Sequence, residues 1–113
     1  MNIDVRATNI PLTDAIAQYA TRRVTAGLSR FTGVVRAVAV RFCDENGPKG
    51  GKDMTCRVRV DIGPGAALMI EERSSDLYAA IGSAVSRARS LVARKLTDRK
   101  RASRSRRRRD VDE

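Results

Sequence analysis

A chain of 113 residues with 42% apolar side chains fits one domain with a modest core. Its 23 lysines and arginines against 13 acidic residues give a net charge of +10, which points to a polyanionic partner. No apolar run reaches membrane-spanning length, and residues 1–20 lack the charged-then-apolar profile of a secretory signal, so a soluble cytoplasmic protein with reduced thiols is expected.

In chain order, Ile3, Val5 and Ala7 alternate with Asn2, Asp4, Arg6 and Thr8, the pattern of a strand with one apolar face. Asn9-Ile10-Pro11-Leu12 breaks it. Either Asn9 or Thr13 caps the helix that follows, and Asn9 is favoured because Pro11 suits a first helical turn. Ile16, Tyr19, Ala20, Val24, Leu28 and Phe31 then recur at helical spacing. They predict a helix from about 12 to 30, weakened at Gly27 and terminated at Gly33.

Val34 to Cys43 reads as a second strand, with Val38, Val40 and Phe42 on one face and Ala37, Ala39, Arg41 and Cys43 on the other. Asp44 to Lys52 is a polar, glycine-rich hairpin loop. Asp53 to Ile62 alternates again, with Met54, Cys56, Val58, Val60 and Ile62 inward and Thr55, Arg57, Arg59 and Asp61 outward. A tight turn at Gly63-Pro64-Gly65 leads to a fourth strand, Ala66 to Arg73, with Leu68 and Ile70 inward. Cys56 thus faces the core and Cys43 the opposite side. Bridged cysteines on adjacent strands must share a face, so no intramolecular disulfide is expected.

The last helix runs from about Ser75 to Arg99. Ser75 or Ser74 caps it, and Asp76 in its first turn faces the positive end of the helix dipole. Leu77, Ile81, Ala84, Val85, Ala88, Leu91 and Val92 form its core stripe, while Arg87 and Arg94 share an outward face with Ser83, Ser90 and Arg101. After Lys100 the apolar periodicity stops, so residues 99–113 are expected to be a disordered arginine-rich tail beside a domain spanning 1–98. Residues 1–98 carry 15 basic and 10 acidic side chains, and residues 99–113 carry 8 and 3, so a seventh of the chain holds half of the excess charge.

The element order is β-α-β-β-β-α, an α+β chain. Three hairpin-linked strands make an antiparallel meander, and the first helix crosses over between strands one and two, which makes that pair parallel. A four-stranded mixed sheet with both helices packed on one face is expected. Its other face, with Arg6, Arg41, Arg57 and Arg59, is left to solvent.

Enzymatic chemistry finds little support. Gly47 to Lys52 falls one residue short of a phosphate-binding loop, has Asp53 where that loop needs a hydroxyl, and is followed by a strand. There is no histidine, and the adjacent Glu71 and Glu72 point to opposite faces of a strand, so they form no carboxylate dyad. Cys43 and Cys56 lack the partners of a zinc site. Tyr19 and Tyr78 read as packing residues with a hydroxyl at the rim. Neither metal, cofactor nor small-molecule substrate is expected.

The basic residues carry more. Arg36, Lys49 and Arg73 read as solvated surface. Arg22, Arg23, Arg30, Arg87, Arg94 and Lys95 are balanced on charge alone between a solvated face and a phosphate-binding one. The run from Arg99 through Lys100, Arg101, Arg104, Arg106, Arg107 and Arg108 to Arg109 favours phosphate, because eight cations in eleven residues repel one another and add nothing to stability. A membrane surface would also attract it, but the apolar anchor of stable attachment is missing.

Two segments extend this reading. Met1-Asn2-Ile3-Asp4-Val5-Arg6-Ala7-Thr8-Asn9-Ile10 with Leu12-Thr13-Asp14-Ala15-Ile16 resembles the opening of the ribosome hibernation promoting factor family. That family includes the ribosome-associated inhibitor A proteins, also called sigma-54 modulation proteins. Asp76-Leu77-Tyr78-Ala79-Ala80-Ile81 heading a basic helix resembles its most recognisable stretch, so the resemblance covers about residues 1–100. It implies a double-stranded-RNA-binding-like fold on rRNA of the small ribosomal subunit. There it would block messenger and transfer RNA in the decoding channel and silence idle ribosomes as part of a stress response. The family's basic positions fall on Arg22 and Arg23 in the first helix and on Arg87, Arg94 and Lys95 in the last. Ser90 stands where arginine is common, Leu91 where glutamine is common and Gly27 where leucine is usual. The extra C-terminal domain of the long forms has no counterpart, so a short form, monomeric off the ribosome, is expected. The alternative on the same fold is a generic RNA-binding module acting in RNA folding or processing.

Overall fold

The computed structural model describes residues 1–44 and 54–112, the stretch 103–112 in backbone alone. The alternating N-terminal segment is a strand, β1 (Asn2–Thr8), with Ile3, Val5 and Ala7 half-buried and the residues between them exposed. Asn9 ends it at a φ of 65°, a left-handed conformation that a short polar side chain tolerates. Thr13, rather than Asn9, caps α1 (Asp14–Gly27): its Oγ1 accepts from the Ile16 N–H at 3.2 Å. Asn9 is committed to the turn, so Pro11 stays outside the helix.

The first helix also ends earlier than its periodicity predicts, and not at Gly33. Leu28 caps it, donating its N–H to the Val24 carbonyl at 2.9 Å, and a 3-10 turn follows over Ser29–Phe31. The tighter winding brings Leu28 fully into the core and packs Phe31 against it.

Strands β2 (Ala37–Asp44), β3 (Met54–Asp61) and β4 (Ala67–Ser74) complete a sheet in the order β1-β2-β3-β4. β1 is parallel to β2, and the other pairs are antiparallel. From residue 45 to 53, the expected hairpin loop lies outside the described residues. The register sets Val5, Val40, Val58 and Ile70 in one row across the inner face. Against this face pack Ala20 and Val24 of α1 and the stripe Ala80, Ile81, Ala84, Val85, Ala88 and Val92 of α2 (Leu77–Asp112), all within 3% of complete burial. The predicted α+β architecture is therefore the observed one. Thr55 departs from the alternation: it is buried, and its Oγ1 has no hydrogen-bond partner among the described residues.

The two helices approach closely at Gly27, where any Cβ would overlap Cγ1 of Val85. The glycine that weakens α1 as a helix is what lets α2 approach it. At one rim of this contact Tyr19 and Tyr78 meet edge to face, with ring centroids 4.8 Å apart.

The cap of α2 is neither serine. Asp76 precedes the helix and its Oδ1 accepts from the Tyr78 N–H at 2.9 Å, while Ser74 Oγ accepts from the Asp76 N–H at 3.1 Å and holds the aspartate in place. Replacing Asp76 by alanine should cost about 1 kcal/mol of unfolding free energy, read from urea denaturation, with Ser75→Ala near neutral. At its other end α2 passes the expected stop at Arg99 and continues to Asp112, so the backbone predicted as disordered tail is helical here. No glycine or proline follows Gly82, so nothing in the chain halts the helix. Its 36 residues span about 54 Å, and the molecule measures 66 × 22 × 20 Å.

Cys43 and Cys56 are free thiols, and the register places Cys56 beside Phe42 on the inner face and Cys43 beside Thr55 on the outer. Burial, with the Glu72 charge adding to it, pushes the Cys56 thiol from 9.0 up to about 12. A thiol raised on folding leaves stability intact below pH 9 and erodes it as pH climbs toward 12, by about 1.4 kcal/mol per unit. Denaturant midpoints between pH 8 and 11 should thus fall more steeply for the wild type than for Cys56→Ala. Parallel slopes would contradict the buried, protonated thiol.

Candidate nucleic-acid interface

Two surfaces of this fold carry arginine, and they differ in how the charge is used. On the open face of the sheet the register aligns Arg6, Arg41, Arg57 and Glu71 across the four strands. Asp4 lies 3.2 Å from Arg6 and 3.1 Å from Arg41, Glu71 3.2 Å from Arg57, and Asp61 3.1 Å from Arg59. Exposed pairs of this kind add about 0–1 kcal/mol each. Their larger effect is to offset part of the charge: five arginines, Arg73 included, share the three carboxylates of Asp4, Asp61 and Glu71, so the face presents mixed charge.

The helical side is different. Arg22, Arg23 and Arg30 are exposed on α1 and the 3-10 turn, and Arg94, Lys95, Lys100 and Arg101 are exposed on α2. Among the described residues none of these seven shares an ion pair with a carboxylate. Two other predicted contacts are already engaged. Arg87 Nη1 donates to Glu72 Oε1 at 2.6 Å and to the Glu71 carbonyl at 3.2 Å, tying α2 to β4. Arg99 is half-buried and its Nη1 donates to the carbonyls of Ile62 and Gly63 at 3.3 and 3.4 Å, fastening α2 to the turn between β3 and β4. The predicted tail contacts Arg104, Arg106, Arg107, Arg108 and Arg109 have their backbone on the last turns of α2, and their side chains lie outside the described residues.

The free cations divide between two flanks of α2. Arg94 and Arg101 follow Arg87 at intervals of seven, on the flank facing β4. The flank facing α1 carries Arg89, Ala93, Leu96 and Lys100, and with Arg30 and Phe31 these line a groove of about 450 Å³. Its lining mixes cations with the apolar Phe31, Ala93 and Leu96 and the hydroxyls of Ser90 and Thr97, and none of its lining residues is acidic. Arg89 was not among the residues that the sequence singles out. The sequence groups α2 by its own periodicity, which picks Arg87 and Arg94, whereas Arg89 gains its place from where α1 lies. Next to it Ser90 bends its hydroxyl back onto the Ser86 carbonyl at 3.3 Å, so Arg89 alone brings charge to this part of the groove.

Among the described residues no cluster of acidic, cysteine or histidine side chains can hold a metal ion, and no helix is long and apolar enough to cross a membrane. The arrangement offers positive charge along two helices and a trough of mixed apolar and polar lining between them. It can bind a polyanion that also has apolar surface.

Comparison with known proteins agrees with the fold. The model of the family described as "Sigma 54 modulation protein / S30EA ribosomal protein" matches residues 3–101. The N-terminal domain of Protein Y from Thermus thermophilus is 32% identical and superposes with a TM-score of 0.68, covering 83% of this chain and 98% of that one. A ribosomal subunit interface protein from Coxiella burnetii shares the fold at 11% identity, with a TM-score of 0.70 over 86% of this chain and 99% of that one. No curated protein matches by sequence.

Proposed function

The chain belongs to the sigma 54 modulation protein / S30EA ribosomal protein family, and from that membership we propose that it is a non-enzymatic ribosome-silencing factor of the cytoplasm. It binds rRNA of the small subunit in the decoding channel, excludes messenger and transfer RNA, and keeps idle ribosomes from initiating under stress. The observation that carries this reading is the helical face: a positive surface whose cations have no carboxylate partners among the described residues, on a fold whose opposite face ties its arginines into ion pairs. The family match supplies the ribosome; the charge supplies the RNA.

In this reading Arg22, Arg23, Arg30, Arg89, Arg94, Lys95, Lys100 and Arg101 contact rRNA phosphates. Arg87 and Arg99 chiefly hold α2 on the sheet, and Arg104 and Arg106 to Arg109 follow the channel as an electrostatic arm. The protein acts as a monomer before it binds. Purified small subunits carrying messenger RNA and initiator transfer RNA provide the test. Stoichiometric protein should release the transfer RNA in filter binding. Transfer RNA retained in the presence of bound protein would refute occlusion and favour a general RNA-binding role.

A further inference from the structure

The groove between the helices continues past Arg89 into a second hollow. This one has a volume of about 220 Å³ and is lined by Arg23, Ala26 and Gly27 of α1 and by Val85, Ser86 and Arg89 of α2. Arg89 borders both hollows, so they form one track from Lys100 and Arg30 to Arg23. Resting on the RNA-binding reading above, we propose that this notch receives one unstacked base of a single RNA strand, while Arg23 and Arg89 hold the phosphates on either side.

Three features favour a base over a bare anion. The floor is Gly27 and the buried Val85, an apolar surface that a phosphate or carboxylate would leave unmatched. Gly27 sets the shape of the notch by letting the helices close on each other: a Cβ there would overlap Cγ1 of Val85, so any larger residue would push Val85 away. The walls are guanidinium groups without carboxylate partners, and Arg23 is laid across α2, with Nη2 3.2 Å from where a Cβ of Gly82 would stand. A planar cation held against a helix is a stacking surface for a base and a donor to its phosphate. An apolar slot between two cations is complementary to a nucleotide, whose flat apolar base lies between charged phosphates.

Two probes test this: a twelve-nucleotide oligoadenylate, and a ribose–phosphate chain of the same length without bases, each titrated by fluorescence anisotropy at one ionic strength. Wild-type protein should prefer the oligoadenylate by about tenfold or more, the usual worth of one stacked base. Ala26→Leu, which fills the notch from an exposed position, should bind oligoadenylate no better than the base-less chain, with an unchanged circular dichroism spectrum. Equal wild-type affinity for both probes overturns the notch and leaves the charge-based reading standing. A preference that survives in Ala26→Leu places base recognition elsewhere and also overturns it. Oligoglutamate competing as well as oligoadenylate would assign the notch to acidic peptide instead. If neither nucleic-acid probe binds, it is the RNA-binding reading itself that fails.

Discussion

Replacing Arg30, Arg89 and Lys100 together by glutamate should abolish ribosome binding at physiological ionic strength. All three are exposed, so the fold has no need of them. They line the groove between α1 and α2, and no lining residue there is acidic. Each charge-assisted hydrogen bond to phosphate is worth about 1.5–3 kcal/mol, so losing three weakens binding on the order of a thousandfold or more before the added repulsion is counted. The control is Arg87→Ala. Because Arg87 is held by Glu72 at 2.6 Å, its loss should lower the unfolding free energy and leave the salt dependence of binding nearly unchanged. If Arg87→Ala weakens binding as much as the triple reversal, the groove is not the interface.

Ending the chain after Ala102 is the second large effect. It removes five arginines and three acidic residues while keeping Arg99 fastened to the carbonyls of Ile62 and Gly63. The log–log slope of affinity against salt should flatten by up to about 3.5, taking about 0.7 per phosphate on single-stranded RNA. The thermal midpoint of the domain should stay where it was. Like charges crowd Arg106 to Arg109, and phosphates alongside would relieve that repulsion. An unchanged slope would leave the arginine run without a role in binding.

What the sequence shows and what it hides divide along physical lines. Alternation over Asn2–Thr8 and Met54–Asp61 names the buried face of each strand directly, because a strand's period is fixed. The heptad-like recurrence from Ile81 to Val92 does the same for α2. Caps were harder, since Ser74, Ser75 and Asp76 all have the right chemistry and only the backbone path decides which oxygen meets Tyr78. The candidate site is legible only in part. Arg23, Arg30 and Lys100 stand out as cations on or beyond helices, but whether a cation is free depends on strands distant in sequence. Glu72 on β4 engages Arg87, and the turn after β3 engages Arg99; neither is visible in the local pattern of α2. Arg89 and the notch at Gly27 exist only once the helices are packed.

The central claim is that this domain is addressed to the small ribosomal subunit through its helical face. Sucrose-gradient sedimentation of the protein with subunits separated at low magnesium tests it most directly. The account predicts that the wild type travels with the small subunit and not the large, and that the triple glutamate variant stays at the top. Wild-type protein remaining at the top, or spread equally over both subunits, would contradict it.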